Sequence, residues 1–148
     1  MQPECLNCCV EQRIPSELGA GHHLIEQVLD RLQEHHWKGH DFFAIRLALE
    51  EAVVNAIEHG NQRDPSKLIR LDFKVSPEFC YIQITDEGRG FCRAALKDCT
   101  DDECIEKPRG RGVHLIEQFM SETAYNERGN QLTMLRKRRD PKLAIAEE

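Results

Sequence analysis

Three short stretches carry side chains whose types and spacing could do chemistry. In the first, Glu51-Ala-Val-Val-Asn55-Ala-Ile-Glu-His59-Gly60, a carboxylate, an amide and an imidazole recur at i, i+4 and i+8. On a helix that spacing gathers them into one stripe, where a carboxylate can take a proton and an amide oxygen can serve a divalent cation. A solvated helix face has the same pattern and, for this stretch alone, is the commoner explanation. The second stretch, Asp86-Glu-Gly88-Arg-Gly90-Phe91, directly follows a hydrophobic run. Glycines there let the backbone approach a ligand closely, and Asp86 can accept hydrogen bonds from the amino group of a base. By itself it is more often an ordinary turn at a strand end than a site. The third, Gly110-Arg111-Gly112, opens a helix that starts at Val113. Free N–H groups at a helix N-terminus suit phosphates. No Lys-Ser/Thr follows, so this is not a Walker loop, and no strand feeds it as a dinucleotide fingerprint requires.

The elements that must position these stretches can be read from periodicity. A short strand is expected over residues 9–14, and Pro15-Ser16 starts a helix with Ser16 as its N-cap. Leu24, Ile25, Val28, Leu29 and Leu32 then recur at helical spacing through Gln33. After a loop from His35 to His40, a second helix is expected from Asp41 to about His59. Its apolar set is Phe42, Phe43, Ile45, Leu47, Leu49, Val53 and Ile57, and Gly60 ends it as a C′ residue. Ile69, Leu71, Phe73 and Val75 alternate with charged residues, the signature of a half-buried strand, and Tyr81, Ile82 and Ile84 continue a second one to Thr85-Asp86. Residues 91–110 lack strong periodicity, and helical spacing resumes at Val113, Leu115, Ile116, Phe119 and Met120. A final hairpin turns at Gly129-Asn130 and runs back through Leu132 to Leu135, with the charged tail from Arg136 solvated. The order β-α-α-β-β-α-β-β predicts an α+β fold, a two-layer sandwich with helices on one face of a mostly antiparallel sheet. A single domain is expected over residues 8–138, with flexible tails at 1–7 and 139–148.

Composition narrows the function classes. With 148 residues the chain is one ordinary domain, and 40% hydrophobic with 31% charged residues marks a globular protein. A net charge of −6 argues against a general nucleic-acid binder, because an acidic surface repels a phosphate backbone. No apolar run approaches the ~20 residues that span a bilayer, and nothing near Met1 resembles an export signal. The odd count of seven Cys, unevenly spaced, does not read as a disulfide framework, so a reducing cytoplasm is expected.

Taken together and in this order, the three stretches are far more specific than any one of them. The combination resembles the GHKL ATPase superfamily, with residues 51–60 as its N box, 86–91 as its first glycine box and 110–116 as its second. Within that superfamily the chain is similar to the bacterial anti-sigma factor serine/threonine kinases. The supporting stretches are Ile14-Pro15-Ser16, Leu47-Ala48-Leu49-Glu50-Glu51-Ala52-Val53-Val54-Asn55-Ala56, the glycine boxes, and a lid from Thr100-Asp101-Asp102-Glu103 through Pro108. The resemblance covers roughly residues 9–138.

The resemblance implies a histidine kinase-like ATPase domain that uses ATP and Mg2+. It implies Glu51 as the general base that takes the proton from an acceptor serine or positions it, and Asn55 as the magnesium ligand. Asp86 would read the adenine amino group in a pocket shaped by Gly88 and Gly90. Gly110 and Gly112 would be lid hinges near the phosphates, with Arg111 adding charge, and His59 would be structural. The implied partners are a sigma factor and an anti-sigma-factor antagonist, with a homodimer and no direct contact to nucleic acid or membrane. Eukaryotic-type kinase signatures are absent. The family's threonine near the adenine is missing or displaced in Gly129-Asn130-Gln131-Leu132-Thr133, with Thr133 as a weak substitute. His114 and the cysteines Cys92, Cys99 and Cys104 are peculiar to this chain.

Cys5, Cys8 and Cys9 form a Cys-x-x-Cys-Cys cluster to which His22 or His23 could add a fourth zinc ligand. No second Cys-x-x-Cys exists, so inert thiols are the default reading, with Cys80 packed as a small hydrophobe. Two other functions stay open: a non-catalytic nucleotide-binding switch that sequesters a regulator, and a thiol or metal sensor whose nucleotide boxes have degenerated.

Overall fold

Leu68–Val75 alternates because one of its faces is buried, and the structure, a computed structural model describing residues 10–88 and 115–139, makes it strand β2. Strand β1 (Val10–Pro15) precedes helix α1 (Leu18–Glu34) and helix α2 (Gly39–Asn55), which continues into a π-helical turn at Ala56–Gly60. Strand β3 (Phe79–Thr85), a helical stretch at 115–119, and strands β4 (Glu122–Tyr125) and β5 (Gln131–Lys137) complete the described chain. The strands form one sheet in the order β1-β2-β3-β5-β4, each neighbouring pair antiparallel. This is the expected α+β architecture.

Alternate residues decide which face the helices cover. Ile69, Leu71 and Phe73 of β2, Ile82 and Ile84 of β3, and Leu132 and Met134 of β5 all enter one hydrophobic core. They meet Leu24, Val28 and Leu32 of α1 and Ile45, Leu49 and Val53 of α2. Burying each such side chain contributes roughly 1.5–3 kcal/mol, so the face with the aliphatic residues is where the helices must lie. Ile116 and Met120 join the same core, and Cys80 packs there as a small hydrophobe.

Several local expectations need correction. The N-cap of α1 is Glu17, and it makes no side-chain capping bond. Ser16 instead donates its hydroxyl to the Lys67 carbonyl, 2.7 Å away, and accepts from Asn61. Helix α2 begins at Gly39 rather than Asp41, because Asp41 sits in its first turn paired with Arg136. Phe43 is exposed rather than part of the apolar face. Gly60 is not a left-handed C′ residue, and the helix ends by widening into the π turn. The tail is not solvated from Arg136 onwards: β5 runs to Lys137, which points Arg136 inward, and both Arg136 and Arg138 are buried. Trp37, in the loop between the helices, is also buried and donates its indole N–H to the Ser76 carbonyl at 2.8 Å. The proposed tail residues 1–7 and most of 139–148, along with Cys9, lie outside the described residues.

Candidate functional site

At the end of the sheet where α2 becomes a π turn, a narrow cleft open to solvent separates that helix from β3 and the β4–β5 hairpin. Ala52 and Ala56 form the helix wall and Ile84 and Leu132 the sheet wall, with Tyr125 beside them. The alanines matter because a larger side chain at either position would fill the space. Four polar side chains also line this slot: Asn55 from α2, Asp86 from just past β3, and Asn130 and Gln131 where the β4–β5 hairpin enters β5.

Asp86 is held in place by close backbone packing. A Cβ built on Gly60 would fall inside the Asp86 carboxylate, and one built on Gly88 would fall on the Gly60 carbonyl. Glycine is required at both positions for close approach, since neither has the positive φ that would require it for conformational reasons. The Gly88 N–H donates to Asp86 Oδ1 at 2.8 Å, and the carboxylate is buried. Asn61, fully buried, accepts the Glu87 N–H at 2.7 Å while its amide nitrogen donates to Ser16 Oγ and the Leu68 carbonyl. One side chain thus ties the end of the π turn to the start of β2 and to the loop after β3. On the other side, Asp86 N–H donates to the Asn130 carbonyl at 2.9 Å, and the Asn130 side-chain amide donates to the Asp86 carbonyl at 2.8 Å.

The structure therefore brings Asn55 and Asp86, which stand far apart in the chain, onto one cleft, while Gly88 packs against Gly60 and holds Asp86 without lining the cleft itself. It does not bring every expected residue into the cleft. Glu51 is half-buried one turn before Asn55 and is not part of the lining; His59 lies half-buried in the π turn. Beside His59, the Glu58 carboxylate is held below its ordinary pKa mainly by a hydrogen bond from Arg63. Thr133 is no substitute for a threonine in the cleft: its hydroxyl accepts from Gln83 at 3.1 Å on the opposite sheet face, a consequence of the two-residue strand period. Asn130 and Gln131 line the cleft instead. Gly90, Gly110, Arg111, Gly112, His114 and the lid residues 100–108 lie outside the described residues, as do Cys5, Cys8, Cys9, Cys92, Cys99 and Cys104.

Asn61 and Asn130 are the residues that sequence reasoning missed. The signal for Asn61 was an amide directly after the helix-ending Gly60, and for Asn130 an amide in a turn opposite the Asp86 strand end. Both positions read equally as ordinary loop residues, because their partners are distant in sequence.

The fit of a nucleotide and its cation can be judged from unfilled bonding capacity. Among the described residues, two buried side-chain polar atoms have no partner, and one of them is Asn55 Nδ2 at the cleft. An amide carries both an acceptor and donors, so this group can hold a cation through its oxygen and a phosphate through its nitrogen. The apolar slot suits a flat ring, and the carboxylate at its base suits an amino substituent on that ring. The residues present fit ATP with Mg2+. Among the described residues no group of three or more His, Cys, Asp or Glu could hold a metal ion, and His22 and His23 are exposed on α1. Burial pushes the Cys80 thiol up to about 12, so it is not a reactive thiol. No described helix is long and apolar enough to cross a membrane.

Comparison with known proteins identifies the family and the fold. The sequence profile described as the histidine kinase-like ATPase domain matches residues 14–136. The serine-protein kinase RsbW of Oceanobacillus iheyensis is 29% identical over 99 residues, 63% of each chain. An anti-sigma F factor of a Geobacillus strain is 29% identical over 93 residues, 60% of this chain and 62% of the relative. An anti-sigma F factor of Clostridium perfringens is 31% identical over 100 residues, 63% of this chain and 70% of the relative. The alignments span a little under two thirds of the first two relatives. The crystal structure of the RsbU and RsbW domains of a Mycobacterium tuberculosis protein superposes with a TM-score of 0.59 at 19% identity, covering 88% of this chain and 32% of that one, which establishes a shared fold. Since the profile runs from the end of β1 into β5, across the whole cleft, the chain belongs to the histidine kinase-like ATPase domain family.

Proposed function

We propose that the protein is an ATP- and Mg2+-dependent serine/threonine protein kinase that acts in the cytoplasm as an anti-sigma regulatory factor. It would bind a sigma factor in one state and phosphorylate an anti-sigma-factor antagonist in another, working as a homodimer. The observation that carries this reading is the convergence of Asn55, with its unpartnered amide, and the buried carboxylate of Asp86 on one apolar cleft. The names of the relatives point the same way.

In this reading Asp86 accepts the amino group of the base, and Ala52, Ala56, Ile84 and Leu132 exclude water from its ring. Asn55 holds the cation, which supplies charge neutralisation across the phosphates. The resemblance assigns phosphate binding to Gly110, Arg111 and Gly112. The acceptor serine oxygen attacks the terminal phosphorus, the bond to the ADP oxygen breaks, and the serine proton passes to Glu51. The phosphate adds roughly −1.5 to −2 charge to the antagonist, which disfavours its rebinding to an acidic surface and switches the partner held.

The test is Glu51→Ala with radiolabelled ATP and candidate antagonists. ATP affinity is expected to persist while transfer is lost; unchanged transfer removes Glu51 as the base. The position of Glu51 outside the cleft lining favours a second reading, a nucleotide-binding switch that sequesters a regulator without catalysis. Nucleotide binding without transfer by the unmodified protein would select that reading.

A further inference from the structure

We infer that Asn130 is a positioning residue that sets the base selectivity of the cleft by holding the backbone of Asp86 with its side-chain amide. This rests on the nucleotide reading above and adds to it the residue that aims the base-reading carboxylate.

The β3–β5 ladder ends with the pair Thr85 and Gln131, so the next opposed pair in register is Asp86 and Asn130. In an antiparallel ladder a hydrogen-bonded pair exchanges two backbone N–H···O bonds. Here only one is a backbone bond, from Asp86 N–H to the Asn130 carbonyl at 2.9 Å. The Asn130 N–H is turned away to Asn126 Oδ1, 3.1 Å off, as part of the hairpin loop. Its side chain replaces it, with Nδ2 donating to the Asp86 carbonyl at 2.8 Å. The ladder is thereby extended one residue past the last regular pair, to the residue whose carboxylate faces the cleft.

The orientation of that amide is determined. Asn126 Oδ1 accepts the N–H groups of Gly129, Asn130 and Gln131 at 2.7, 3.1 and 3.3 Å, so Asn126 must present its Nδ2 in the other direction. That Nδ2 donates to Asn130 Oδ1 at 2.8 Å, leaving Asn130 Nδ2 toward Asp86. A hydroxyl side chain is too short for this arrangement, and a carboxylate has the shape but no donor. With Gly88 N–H holding Oδ1 and Asn130 holding the backbone on both sides, Asp86 presents its carboxylate to the cleft in one position.

The test compares the affinities of the full chain for ATP and for ITP, in which a 6-oxo group replaces the 6-amino group, in the wild type, Asn130→Asp and Asn130→Ala, with thermal unfolding of each. The wild type is expected to prefer ATP. In both variants the ITP-to-ATP ratio of dissociation constants is expected to fall about tenfold, mainly through weaker ATP binding, as for loss of a little over 1 kcal/mol of discrimination. The charge added by the aspartate would weaken both triphosphates alike and leave the ratio untouched, and the alanine adds none. An unchanged ratio in either folded variant, or equal weakening of both nucleotides with a lowered unfolding temperature, overturns the inference and leaves the pocket reading standing. A wild type that binds neither nucleotide, or both equally, overturns the base-reading role of Asp86 and this inference with it.

Discussion

The two ends of the helical layer each bury polar groups, and they treat them differently. At the start of α2, Asp41 and Arg136 form a buried pair, with Arg136 Nε and Nη2 donating to Asp41 Oδ1 at 3.1 and 2.8 Å and Nη1 to the Phe119 carbonyl. Next to it Arg138 donates to the carbonyls of His35, His36 and Pro77, and its guanidinium carbon stands 5.1 Å above the Trp37 ring; Nε alone lacks a partner. These bonds tie the end of α1 and the start of α2 to β5. At the other end of α2 the half-buried Asn55 lines a cleft with a buried amide nitrogen that has no partner, while Asp86 close by is fixed by its backbone. Side chains with most of their polar atoms satisfied within the chain, as in Arg136 and Arg138, hold the fold together, whereas the amide nitrogen of Asn55, short of a partner beside an open cleft, has bonding capacity for a ligand.

The sharpest way to break this comparison is Arg136→Met. Removing one member of a buried pair strands the other, so the unfolding free energy should drop by about 3–5 kcal/mol, read by urea denaturation. The double variant with Asp41→Leu should recover most of that loss. A single-variant loss below about 1 kcal/mol would mean that the pair is solvated and the contrast between the two ends false.

A smaller effect is expected at the glycines. Gly88→Ala drives a Cβ into the backbone of Gly60, which cannot rotate away, and should cost about 1–3 kcal/mol of stability. The atoms nearest a Cβ on Gly60 belong to the Asp86 carboxylate, a side-chain end, so Gly60→Ala should cost less stability than Gly88→Ala and displace that group from the cleft, weakening ATP in calorimetry. Equal stability losses for the two would show that the Asp86 side chain is as immovable as backbone.

The smallest stability change belongs to Asn55→Ala. Its amide nitrogen has no partner to lose, so stability should stay within about 1 kcal/mol of wild type. The magnesium-dependent tightening of ATP binding should nevertheless vanish. A large destabilisation would place Asn55 with the Asp41–Arg136 group, as part of the fold rather than a site.

Much of the fold was legible because its determinants are local. The alternation of Ile69, Leu71, Phe73 and Val75 and the helical spacing from Leu24 to Leu32 each follow from the geometry of a single element. The motif types at Asn55, Asp86 and Gly88 were legible too, although Asp86 and Gly88 looked like any strand-ending turn until Gly60 was found against them. Charged residues misled the reading of Arg136 and Arg138. A basic run near a chain end reads as solvated when the carboxylate that pairs with it lies 95 residues earlier.

The sequence alone thus determined the order of the helices and strands, most of their apolar faces, with Phe43 and Arg136 as exceptions, and which chemistry the boxed residues could offer, since these depend on neighbours within a turn or a strand repeat. Only the tertiary structure decided that Gly60 exists for the Asp86 carboxylate, that Asn61 and Asn130 grip the turn from either side across 26 and 44 residues, and that Thr133 faces away from the cleft. Hydrogen bonds and close contacts of that span are set by sheet register and by the packing of helix on sheet, which no local stretch of chain encodes by itself.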